Sequence, residues 1–133
     1  MNSAAVEMIT RAGGLATTAD LLTVMTRQQM DVQVRKGALI RIWRGVYGVA
    51  EPDLLTRLRA LDLLINEHAI ACLHTAAELY GFGTENSGAV HVLDPGFRLR
   101  PTGGLVVHQR KGAPLQCVSS RRATSPAWTA IEV

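Results

Sequence analysis

The stretch TRQQMDVQVRKGALIRIWRGVYGVA, from Thr26 to Ala50, holds two elements back to back. Thr26-Arg27-Gln28-Gln29 has capping-box form: a Thr hydroxyl accepts an N–H of the first turn while the Gln side chain returns to the Thr N–H. A helix opens there. Met30 and Val34 are four residues apart and are expected to face inward together, and Gly37 ends the helix as a left-handed cap. Leu39 to Trp43 then alternates like a strand, Arg44-Gly45 signals a turn, and Val46-Tyr47-Gly48-Val49 is the return strand.

Upstream, Ala4 to Ala12 reads as a first helix with Ala5, Met8 and Ile9 on one face, stopped by Gly13-Gly14. Thr17-Thr18-Ala19-Asp20 has capping-box form again and opens a helix carrying Leu21 and Leu22; Thr23-Val24-Met25 has the length of a turn. Three short helices and a hairpin, in that order, predict a winged helix-turn-helix. In that fold the third helix lies in a DNA major groove and the ribbon touches the backbone beside it. With Met30 and Val34 inward, Arg27, Gln28, Gln33 and Lys36 are the groove candidates. Gln pairs bidentately with adenine and Arg with guanine. Arg41 and Arg44 are the ribbon candidates, with Arg44 at the tip, in reach of phosphate or a minor groove. The competing account is a solvated polar helix and a charged hairpin tip that keeps an edge strand soluble. Trp43 and Tyr47 are expected to cover the core between the ribbon and the first helix.

Downstream, Glu51-Pro52-Asp53 starts a helix with a stripe of Leu54, Leu58, Leu61 and Ile65, widened by Leu55 and Leu64. Ala69 to Cys72 reads as extended, His74 to Tyr80 as a short helix closed by Gly81, and Val90–Leu93 and Leu105–His108 as strands. Asp94-Pro95-Gly96 and Gly103-Gly104 read as turns. Ser125-Pro126 is an N-cap followed by proline at the first helical position. The helix it opens is so short that it needs packing to persist. The expectation is an α+β chain: a winged helix-turn-helix over residues 1–50, then a small α/β module with short strands over residues 51–133.

The 133 residues are 47% hydrophobic, enough to bury a core, and the net charge of +3 is unevenly spread. Residues 1–50 carry +3, residues 51–95 carry −5 and residues 96–133 carry +5. The basic ends suit a polyanion. Arg110-Lys111 and Arg121-Arg122 could extend a phosphate-binding surface or face the acidic middle segment. No apolar run approaches the ~20 residues of a membrane helix. Cys72 and Cys117 lack CxxC spacing, the N-terminus lacks a signal-peptide layout, and the cytoplasm is the expected compartment.

Catalytic constellations are not evident. His68, Cys72 and His74 lie close in sequence, but three ligands across a helix-to-strand change match no zinc spacing. His74 is expected to cap its own helix, and Cys117 to be a small buried residue. No Ser-His-Asp order or phosphate-cradling loop is present, so an enzyme, a metal and a cofactor are not expected.

Several stretches resemble one family in order along the chain: GGLATTADLL (13–22), KGALIRIWRGVYGV (36–49), LHTAAELYGFG (73–83), GLVVHQR (104–110) and RATSPAWTAIEV (122–133). RGVY and the TSPxxT tail are the most telling. The family is that of the AbiEi-like antitoxins of type IV toxin–antitoxin systems. The chain also resembles actinobacterial relatives in which the same front half precedes a very-short-patch-repair-like endonuclease domain. The tail departs from the family at Trp128, where an arginine is usual, and at Glu132, where an aspartate is usual. Family members continue for roughly as long again, so the part serving toxin neutralisation or nuclease-like chemistry is expected to be missing here. The resemblance implies double-stranded DNA binding by an antitoxin-like regulator that represses its own operon, with a cognate toxin as a second partner. The alternatives are a protein-interaction module and a non-catalytic remnant of a longer protein.

Overall fold

The computed structural model describes residues 1–82, 88–95, 103–109 and 112–132. The fold is α+β, and the chain forms two compact units, Met1–Asn66 and Glu67–Val133. Among the described residues no helix is long and apolar enough to cross a membrane.

In the first unit, α1 (Ser3–Arg11) is capped by Asn2, whose side chain accepts the Ala5 N–H at 2.8 Å. Gly13 and Gly14 take φ of +76° and +94°, conformations that favour glycine, and the helix ends. Leu15–Thr17 then forms β1, a strand not expected from the local sequence. Thr17 ends it and caps α2 (Thr18–Leu22), accepting the Asp20 N–H at 3.2 Å. After a turn come α3 (Arg27–Lys36), β2 (Ile40–Trp43) and β3 (Val46–Gly48). The sheet order is β1-β3-β2, antiparallel throughout, with a bulge between Arg41 and Trp43.

The two sheet faces are buried against different helices. Ala16 and Tyr47 are cross-strand partners. They pack with Ala5, Ile9, Leu21, Met25, Met30 and Leu39 from the α1–α3 side. Trp43 and Val46, paired with each other, lie at the other register positions. Trp43 meets α4 (Leu54–Ile65), whose Leu58, Leu61 and Ile65 are buried. Trp43 therefore packs on α4 and not on α1, as the sequence had suggested. Tyr47 alone serves the α1 side. Leu55 and Leu64 stay 40% exposed, so they do not widen the buried stripe of α4. Asp53 caps α4 by accepting the Thr56 N–H at 2.8 Å, and that bond holds its carboxyl below the ordinary value.

In the second unit, the segment around Ala71 is extended and stitches two strand pairs together. Ala71 bridges Val92 on one side and Ala123 on the other. β4 (Val90–Leu93) pairs parallel with β5 (Leu105–His108), and β6 (Leu115–Val118) pairs antiparallel with β7 (Arg121–Thr124). The order is thus β5, β4, Ala71, β7, β6. α5 (Leu73–Tyr80) ends at Gly81 in the left-handed conformation and packs on β4, β7 and α6 (Pro126–Glu132). α6 opens as read, with the Trp128 N–H donating to Ser125 Oγ. It docks through Thr129, fully buried against Thr124. Four expectations change here. Cys117 is exposed while Cys72 is buried. Arg121 is buried, donating from Nη2 to the Ala69 carbonyl at 3.2 Å, and leaves Arg122 alone of that pair at the surface. His74 is exposed, and the N-cap position of its helix belongs to Cys72. β6 and β7 add a hairpin that the sequence reading left unassigned. Arg110, Lys111 and Gly96 lie outside the described residues.

Candidate nucleic-acid interface

The helix α3 is fixed at both ends by its own sequence. Thr26 Oγ1 accepts the Gln29 N–H at 3.2 Å, and Gln29 Oε1 accepts the Thr26 N–H at 2.8 Å, a complete capping box. Gln29 thus serves the backbone, as expected. At the far end Gly37 sits at φ +79°, its N–H donating to the Val34 carbonyl while the Ala38 N–H donates to the Gln33 carbonyl. Arg35 and Lys36 occupy the last turn, where cations complement the helix dipole.

Met30 is the one α3 side chain classed as buried. Val34, expected beside it, is 38% exposed, whereas Val32 and Gln33 are half-buried. The inward face is therefore rotated toward Gln33. That side chain lines a cavity of about 170 Å³ together with Met1, Asn2, Met25 and Gln29. The exposed stripe carries Arg27, Asp31, Val34 and Arg35, at helical spacings of three, four and eight, with Gln28 and Lys36 at its margins. Of the six residues singled out in the sequence, Arg27, Gln28, Lys36, Arg41 and Arg44 are exposed and Gln33 is not fully so. Arg35 was missed. Its signal was available in the spacing from Arg27, but only once the phase of the helix was known.

Arg44 stands in the two-residue link between β2 and β3, beside Gly45 at φ +96°. A Cβ at Gly45 would lie 3.4 Å from Leu64 Cδ2, so the tip is kept small where it approaches α4. Arg41 is exposed and pairs across the ribbon with Tyr47. The helix contributes three exposed cations and the ribbon two, and no ion pair to any of these five is seen among the described residues. Such a surface can neutralise phosphates, and its Gln and Arg side chains can hydrogen-bond base edges. Among the described residues no group of His, Cys, Asp and Glu is placed to hold a metal ion.

The second unit carries a match to a known family. Residues 69–133 match the model of the AbiEi antitoxin C-terminal domain. The chain is also similar to two Mycobacterium tuberculosis proteins, the uncharacterized protein Rv2248 of strain ATCC 25618 / H37Rv and the uncharacterized protein MT2308 of strain CDC 1551 / Oshkosh. Each is 67% identical over 109 residues, 82% of this chain. The chain spans 40% of the length of these relatives.

Proposed function

We propose that the chain is a DNA-binding transcriptional regulator of the type IV antitoxin kind, repressing its own operon in the cytoplasm. On this reading residues 1–50 act as a winged helix-turn-helix, with α3 in the major groove and the β2–β3 ribbon on the adjacent backbone. Arg27, Gln28 and Lys36 make the main groove contacts, with half-buried Gln33 at the edge of that face, and Arg41 and Arg44 hold phosphates. The function is regulatory, not catalytic, and needs no cofactor. The observation that carries the reading is the exposed Arg27–Arg35 stripe beside the Arg44 tip, in one chain with an AbiEi antitoxin C-terminal domain.

Fluorescence anisotropy with the promoter region of its own operon and an unrelated duplex, at two salt concentrations, tests it. Neutralising ~6 phosphates predicts a log–log salt slope near −5. The Arg27→Ala/Lys36→Ala/Arg44→Ala variant should lose promoter binding. Salt-insensitive binding, or none to either duplex, sinks the proposal.

A second reading is a protein-interaction module. It is favoured by the −5 charge of residues 51–95 and by a second unit of antitoxin type, which suits a cognate toxin as partner. Co-purification with the product of a neighbouring gene, without any DNA shift, would select it.

A further inference from the structure

All four histidines lie in the second unit, and three of them touch in a row. His91, in β4, stacks on His108, at the end of β5, with ring centroids 5.2 Å apart and planes at 20°. His91 Nδ1 and His108 Nε2 are 2.9 Å apart, a hydrogen bond between two ring nitrogens. On the other side His74, from α5, lies 5.8 Å from the His91 ring. His91 is held at both backbone groups. Its N–H donates to the Oγ1 of buried Thr75 at 2.7 Å, and its carbonyl accepts the Cys72 N–H at 3.1 Å.

A bond between two imidazole nitrogens requires one of them protonated and the other bare. The neutral pair satisfies this, and so does a pair carrying one extra proton on an outer nitrogen. Two imidazolium rings cannot satisfy it: both facing nitrogens then carry hydrogen, and the rings repel. The charged groups on these elements are Glu78 on α5 and Asp94 at the end of β4, with Arg121 and Arg122 on β7, which packs on α5. Burial, then His108 and His74, hold the His91 ring below its ordinary basicity.

Position gives the cluster its leverage. β5 pairs with β4 in a four-residue parallel register that ends at Leu93↔His108, where the histidine row sits. We propose that His74, His91 and His108 form an acid-sensitive latch. In its neutral state it ties β5 to β4 and α5, and multiple protonation loosens β5 from them.

The sign follows from linkage. A histidine less basic in the folded state than in the unfolded one is stabilising above the unfolded pKa near 6.5 and loses that contribution as pH falls below it. The first unit, residues 1–66, contains no histidine and serves as an internal control. The test is amide hydrogen exchange on the full chain between pH 7.5 and 5.5, corrected for intrinsic rates. Exchange of β4 and β5 amides should speed up by about three- to tenfold, while α3 amides stay unchanged. His108→Gln should flatten this dependence, His74→Gln should reduce it, and His68→Gln, outside the row, should keep it. Equal protection at both pH values overturns the latch. So does an equal acid response in α3. Wild-type behaviour in both His108→Gln and His74→Gln overturns it too, and His74→Gln, at an exposed position, covers the case in which His108→Gln does not fold.

Discussion

The indole N–H of Trp43 donates to the backbone carbonyl of Arg57 at 2.8 Å, while the Arg57 guanidinium lies over the same indole, 5.4 Å from its centroid. One residue of α4 thus grips the end of β2 from two directions. Trp43 is 5% exposed, so the ring also contributes a large buried apolar area. Trp43→Phe keeps most of that area but removes the donor and weakens the cation–π contact; it should cost about 1–2 kcal/mol. Trp43→Ala should cost about 3–5 kcal/mol. Urea unfolding followed by circular dichroism measures both. A phenylalanine variant as stable as the parent would show that the Arg57 contacts contribute nothing net.

The rotated face of α3 makes a prediction that separates two neighbouring residues. Arg35 shares the exposed stripe with Arg27, whereas Gln33 leans toward the cavity by Met1 and Asn2. If the proposed DNA contact is right, Arg35→Ala should weaken binding and reduce the magnitude of the salt slope by about one, as loss of a phosphate contact does. Gln33→Ala should change affinity less than Arg35→Ala does. Anisotropy titrations of the two variants decide it, and the opposite ranking would mean that a different face of α3 meets DNA.

Local chemistry made α3 readable. Its capping box and its glycine cap are set by residues within four positions of each other, and both form as the sequence indicates. Long-range partners were not readable. β1 is three residues that follow Gly14 and end on Thr17, the cap of α2, and it is a strand only because β3, some thirty positions later, pairs with it. Trp43 finds Arg57 on a helix that the sequence presents as a separate element. The phase of α3 was lost for a related reason, since i,i+4 spacing of Met30 and Val34 defines a stripe but not which edge of it meets the core. The histidine row joins residues from three elements and has no signature in any one of them.

The β6–β7 hairpin escaped notice because its turn lacks the usual residues. Val118 pairs with Arg121 across a two-residue link, and Ser119 and Ser120 take φ of +50° and +62°. Both central residues of such a turn are left-handed, which Asn-Gly adopts readily and Ser-Ser does not. Each serine therefore carries backbone strain, of order 1 kcal/mol. Ser119→Asn/Ser120→Gly should stabilise the chain by about 1 kcal/mol, seen as a higher midpoint in thermal or urea unfolding. A lower midpoint would mean that the serine hydroxyls contribute more than the strain they accompany.

The last helix is held by a small buried polar knot, and its energetics can be dissected. Thr124 and Thr129 are fully buried and share a hydroxyl–hydroxyl bond. The Thr124 carbonyl accepts from the Thr129 hydroxyl at 3.2 Å and from Tyr80 Oη at 2.8 Å. β7, α5 and α6 meet at that one carbonyl. Thr129→Val alone leaves the Thr124 hydroxyl short of a partner in a dry site, which should cost about 1–3 kcal/mol, whereas in Thr124→Val the Thr129 hydroxyl keeps the Thr124 carbonyl and the cost should be smaller. Replacing both by valine removes the stranded group, so the double variant should lose less than the two single losses added together. The coupling should be about 1 kcal/mol, and protection of the Thr129 amide, bonded to the Ser125 carbonyl, should track it. Strict additivity would mean that each hydroxyl is satisfied independently, and that α6 is held by its apolar contacts with α5 rather than by this bond.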